Sequence, residues 1–153
     1  MNVLAAIRPD DFNFPLLLHV AGAAILVGAV TAAAGTLVFT PGGGGDPAGL
    51  RRFAFRVLLF VGIPAYIVMR IGAQWIYDKE FGDLPDDVDD PGWIGIGYIT
   101  ADLGLLVLLI ATACAGFATR RSSPGLAKAA GILSAILLVA WVIAVWAMGA
   151  KPD

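Results

Sequence analysis

FAFRVLLFVGIPAYIVMRIGAQWIY, residues Phe53 to Tyr77, decides the fold. A bilayer's hydrocarbon core needs about 20 mostly apolar residues of helix to cross it, and this stretch exceeds that. It also carries Arg70 in its interior. At about 1.5 Å of rise per residue the arginine lies about 10 Å below the Tyr77 end. A charge near a bilayer centre costs on the order of 2.5–3.5 kcal/mol on insertion scales, so such a group is expected to be paired or to face a cavity. Tyr66, Arg70 and Gln74 are spaced by four and Tyr77 follows three later, which places all of them on one helical face. A polar stripe of that kind should point into a bundle or a wet crevice. Pro64 removes one backbone hydrogen bond from the same helix and predicts a bend.

Working outward, three further apolar runs flank this one, at about 15–39, 93–118 and 126–150, giving four spans with that of 53–77. The chain is 153 residues long, 59% hydrophobic and only 14% charged, too apolar for an ordinary soluble domain and too short for two membrane domains. The expected class is all-α: a single integral membrane domain, a four-helix transmembrane bundle. The first run is longer than a signal-peptide core, so it reads as a retained span. Gly28, Ala32 and Thr36, four apart, with Gly35 seven beyond Gly28, suggest a small-residue face for close helix approach. TPGGGGDPAG, residues 40–49, is a connector, and Asp46-Pro47 has the form of a cap and first-turn proline. The acidic stretch from Asp78 to Gly92 forms the second connector. Ser123-Pro124-Gly125 is a short turn that makes the last two spans antiparallel neighbours.

Charge sets the expected orientation. Arg51, Arg52, Arg56, Arg120, Arg121 and Lys128 flank the first and third connections, whereas residues 78–90 hold seven acids and one lysine. By the positive-inside rule both termini and the acidic loop face outward. Arg70 is then seven residues below the outer end of its span and Asp102 nine below the outer end of the third. At about 1.5 Å per residue the two opposite charges differ in depth by only about 3 Å. His19 in the first span and Trp141 in the fourth fall in the same outer layer. Gln74, Tyr66 and Tyr98 supply further polar groups, so the candidate ligand site comprises His19, Tyr66, Arg70, Gln74, Tyr98, Asp102 and Trp141. The alternative for Arg70 and Asp102 is an ion pair that only fixes helix register. Trp75, Tyr77, Trp93 and Trp146 read as an interfacial aromatic belt.

His19 is the only histidine and Cys114 the only cysteine. A thiolate-rich metal site is therefore excluded, and a metal or haem b on His19 would need a methionine such as Met69 or a second subunit to supply the other ligand. No HExxH, CxxC, P-loop or EF-hand spacing occurs. The stretch LHVAGAAILVGA around His19, followed by RRFAFR at the start of the second span, resembles the small four-helix bacterial membrane proteins related to copper-resistance protein D, with Leu18, His19 and Gly22 matching a Leu-His pair ahead of a glycine-rich run. That resemblance implies a bacterial cytoplasmic-membrane protein with a copper or haem connection. From the residues themselves the expectation is a non-enzymatic ligand-binding or accessory protein, a homo-oligomer or subunit of a larger membrane complex, with no nucleic-acid partner. The alternative is a haem b- or quinone-binding redox protein using His19.

Overall fold

A chain crossing lipid must satisfy its backbone hydrogen bonds within itself, and the apolar runs do so as helices. In the computed structural model, which describes residues 13–38, 46–82 and 92–150, these are α1 (Asn13–Val38), α2 (Pro47–Val57), a π-helical turn (Leu58–Gly62), α3 (Ile63–Phe81), α4 (Gly92–Arg121) and α5 (Pro124–Ala150). The segment from α2 through α3 is one continuous membrane-length helix, and with α1, α4 and α5 it gives four spans, each long and apolar enough to cross a bilayer. The protein is a multi-pass membrane protein built as a four-helix bundle. Phe60, Val139, Val142 and Val145 are among many large apolar side chains exposed on its outside, a surface suited to lipid.

Local chemistry sets the helix ends. Asp46 accepts hydrogen bonds from the backbone N–H groups of Ala48 (2.9 Å) and Gly49 (2.8 Å), with Pro47 in the first turn of α2. Asp78 to Phe81, expected in the acidic connector, instead extend α3 by a turn. Asp78 accepts from Gln74 within the helix and Phe81 stacks on Tyr77. Residues 83–91 of the acidic stretch and residues 39–45, which include most of the glycine connector, lie outside the described residues. At the other turn Ser122 takes a left-handed conformation (φ 51°), and the Ser123 hydroxyl caps α5 by accepting from Leu126 N.

The helices alternate in direction and form a ring. α4 packs on α5 more than on any other helix, α5 also packs on α1, and α1 packs most extensively on the second span. The second span changes neighbours along its length. α2 and the π turn pack against both α1 and α4, whereas α3 stays on α1 and barely touches α4. The switch falls at the π turn and Pro64, two recognised causes of a redirected helix axis. The ring is therefore closed at the end where Arg51, Arg52, Arg56, Arg120, Arg121 and Lys128 gather, called here the basic end. It is parted between α3 and α4 towards the opposite, acidic end.

The core is built from small side chains with Leu26, Val30, Leu58, Leu108 and Leu137 between them. Close packing of α1 on α3 is made by Gly22 and Gly72. A Cβ on Gly22 would stand 2.6 Å from Met69 N, and one on Gly72 would stand 2.5 Å from His19 N. The small-residue face expected at Gly28, Ala32, Thr36 and Gly35 is not where that approach occurs, since a Cβ on Gly28 or Gly35 would meet nothing within 4 Å. The face turned to α3 is offset from Gly28 by 6 residues, about 600° or 240° around the helix.

Candidate functional site

Where α3 and α4 part, side chains span the gap that the backbones leave. Arg70 on α3 and Asp102 on α4 form an ion pair, Nη2 to Oδ1 at 3.7 Å. The guanidinium also lies over the Tyr98 ring, 4.6 Å from its centroid, a cation–π contact. Arg70 Nη1 donates to Gln74 Oε1 (3.3 Å), which accepts from Tyr98 O–H as well (3.1 Å), and Gln74 Nε2 donates to Asp78 Oδ1 (2.8 Å). One connected polar network therefore climbs α3 in steps of four residues, from Arg70 to the charged last turn, and is tied twice to α4. Below it, Tyr66 O–H donates to the Ala101 carbonyl (3.2 Å). Above it, Tyr77 meets Tyr98 edge-on at 5.5 Å, and Phe81 meets Trp93 at 6.5 Å.

Behind this screen is a cavity of about 430 Å³, within the usual range for small-molecule sites. His19 and Leu26 line it from α1, Met69 and Arg70 from α3, Tyr98 and Ala101 from α4, and Trp141 and Met148 from α5. Tyr77, Phe81 and Trp93 continue its wall toward the acidic end, and the lining is predominantly apolar and aromatic.

The seven residues singled out in the sequence fall into three groups. Arg70, Gln74, Tyr98 and Asp102 form the network just described. His19 and Trp141 line the same cavity from α1 and α5. His19 Nδ1 lies 3.2 Å from the Met69 carbonyl, so Nδ1 carries the proton and Nε2 is the ring's remaining ligand atom. Trp141 is 6% exposed, and its indole nitrogen is buried without a hydrogen-bond partner, 3.4 Å from where a Cβ on Gly104 would stand. It contributes its ring rather than its N–H. Tyr66, at 4% exposed, belongs to the packed core beneath the cavity.

Asp102 departs from expectation. Its side chain is 66% exposed against 28% for Arg70, so it stands at the lipid-side edge of the gap instead of inside the bundle. The stripe Tyr98, Asp102, Leu105, Leu109 and Thr112 explains this. Thr112 is buried and Tyr98 and Leu105 are half-buried, while Asp102 and Leu109 are exposed, so the stripe straddles the boundary between core and lipid. The expected aromatic belt also divides. Trp75 and Trp146 are exposed, but Tyr77 and Trp93 are half-buried cavity wall. Phe81 and Asp78 were not anticipated as part of the site. Their signal was the spacing by four from Tyr77 and Gln74, obscured by reading the acidic stretch as loop from its first residue.

Depth follows from the helix rise. Arg70 lies fourteen residues from Arg56 and eight from Asp78, or about 21 and 12 Å, and Asp102 lies about 27 Å from Arg120. In a hydrocarbon layer of about 30 Å, the site is in the half nearest the acidic end. For a metal or haem the donor set is thin. Among the described residues no three His, Cys, Asp or Glu side chains are grouped to hold an ion. His19 Nε2 and the thioethers of Met69 and Met148 are the soft donors lining the cavity.

No family model matches the chain, and no curated protein or solved structure matches it either.

Proposed function

We propose that this protein is a non-enzymatic ligand-holding or accessory subunit of a bacterial cytoplasmic membrane, with both termini and the site on the outer side. The reading rests on one observation: an aromatic-walled cavity behind the parted α3 and α4, with Arg70 at its edge. Such a space fills with something drawn from the bilayer. Its apolar walls suit an amphipathic molecule, and Arg70 suits the oxygen-bearing end of that molecule. The gathering of basic residues at the opposite end supports the orientation. Assembly as a homo-oligomer or within a larger complex accords with a charged Asp102 at the lipid-facing edge, which a neighbouring chain would cover.

The test is extraction. Protein purified in mild detergent should retain a compound that mass spectrometry of an organic extract identifies, and Arg70→Met paired with Asp102→Leu should lose it while staying folded. Identical extracts from the two proteins would sink the proposal. A phosphatase fused after the last helix should be active if the terminus is outside.

A second reading, haem b on His19, has its own support in the tether from Nδ1 to the Met69 carbonyl, which orients Nε2 as a ligand atom. When bound, haem would supply one-electron redox chemistry. Purified protein would then show a Soret band, and reduced α and β bands with dithionite, all absent in His19→Ala. Colourless protein from haem-replete cells would exclude it.

A further inference from the structure

We infer that the ligand's polar end is an uncharged carbonyl on a flat ring, the chemistry of a lipid-soluble quinone. This deepens the ligand-holding reading above and rests on it.

Charge balance comes first. Arg70 is already matched by Asp102 at 3.7 Å, and both lie within membrane-length apolar helices. An anionic head entering the cavity would leave one negative charge uncompensated in a medium where unpaired charge is expensive. A neutral acceptor adds no charge. The guanidinium can still serve one, because it carries five N–H donors. Its contact with Asp102 is too long to be a hydrogen bond, and one N–H goes to Gln74.

Shape comes second. The rings of Tyr77, Phe81, Trp93, Tyr98 and Trp141 all line this cavity, a concentration of flat surfaces suited to stacking on a ring rather than enclosing a flexible chain. Access comes third. α3 and α4 are joined at this level mainly by side chains and not by close backbone packing, so displacing side-chain ends is enough to pass an apolar tail between them into the bilayer while the ring stays inside. Arg70, the cationic group, lies beside the floor residue Met69, below the wall formed by Phe81 and Trp93, while the charged residue lining the upper end is the acid Glu80. A phospholipid would put its headgroup at the opposite end and its chain against the arginine. The arrangement therefore favours a molecule that enters polar end first.

The test uses the full chain in detergent, with ubiquinone-1 as probe, quenching of tryptophan fluorescence as readout, and decanoate as an anionic competitor of similar size. The expected result is saturable quenching that decanoate does not relieve. Affinity should fall by about tenfold or more in the Arg70→Met, Asp102→Leu variant, as loss of a hydrogen bond from a charged donor implies. If decanoate binds saturably and displaces the quinone, the head is an anion: the quinone inference fails and the ligand-holding reading stands. If neither probe saturates, both fail. Unchanged affinity in the folded variant also overturns the inference. The competition in the unmodified protein decides the matter by itself should the variant not fold.

Discussion

Arg70 and Asp102 face each other across the α3–α4 gap at 3.7 Å, yet no hydrogen bond joins them, and the guanidinium rests instead on the ring of Tyr98. The pair is held by charge at hydrocarbon depth, where removing one partner strands the other. Asp102→Leu alone should therefore destabilise the bundle, by less than the roughly 3 kcal/mol seen when one member of a fully buried pair is deleted, because the Asp102 side chain is 66% exposed. Adding Arg70→Met should restore most of the loss, because replacing both charges by apolar groups is often neutral. Unfolding of the single and double variants in mixed micelles measures the difference. A double variant no more stable than Asp102→Leu would mean that the charges are not coupled.

The α1–α3 contact makes a sharper test of packing. A Cβ at Gly72 would meet the backbone at His19 N and at Pro15 O (2.7 Å), and neither atom can swing aside as a side-chain end would. Gly72→Ala and Gly22→Ala should each cost about 1–3 kcal/mol, as overpacking does. Gly72→Ala should also displace His19. Gly28→Ala should be neutral or stabilising by about 0.5–1 kcal/mol, since nothing lies near its Cβ and glycine weakens a helix interior. Thermal melting of the three variants separates these outcomes.

Ser122 occupies the position after α4 where the chain turns left-handed, with φ 51°. An L side chain there costs about 1–2 kcal/mol that glycine does not incur, and Ser123 N already closes the turn onto the Ala118 carbonyl at 3.2 Å. Ser122→Gly should raise stability by about 1 kcal/mol, measured by the same melting experiments.

These cases mark where sequence reading succeeds and where it stops. That Arg70 and Asp102 meet was readable, because helix rise converts position into depth and two charges in lipid seek each other. The parting of α3 from α4 was not readable. Pro64 signals a bend but not its direction, and the π turn at Leu58–Gly62 has no composition of its own. The glycine contacts were misplaced because small residues at spacings of four are common in α1, and only the packing partner selects Gly22 over Gly28. Tyr77 and Trp93 have the look of interfacial residues, and whether their helix faces meet the cavity or the lipid depends on the same unreadable splay. The cavity is thus a product of tertiary geometry, while the polar group at its edge is a product of sequence.

That distinction yields a prediction about the cavity alone. Ala144 on α5 lines it, half-buried, and is separate from the Arg70 network. Ala144→Phe should fill space with an apolar ring without disturbing any hydrogen bond described above. If the cavity is a ligand site, the variant should melt at or above the parent temperature in detergent stripped of ligand, since added burial is worth roughly 1–2 kcal/mol at the usual 25 cal/mol per Å². It should retain none of the compound that the parent carries through purification. If the cavity is instead a packing defect closed by α3–α4 movement in the bilayer, the added ring would overpack the bundle. Its melting temperature would then fall, because overpacked cores lose about 1–3 kcal/mol. The sign of the melting shift, read beside the mass spectrum of the extract, therefore tells a ligand-filled space from a collapsed one.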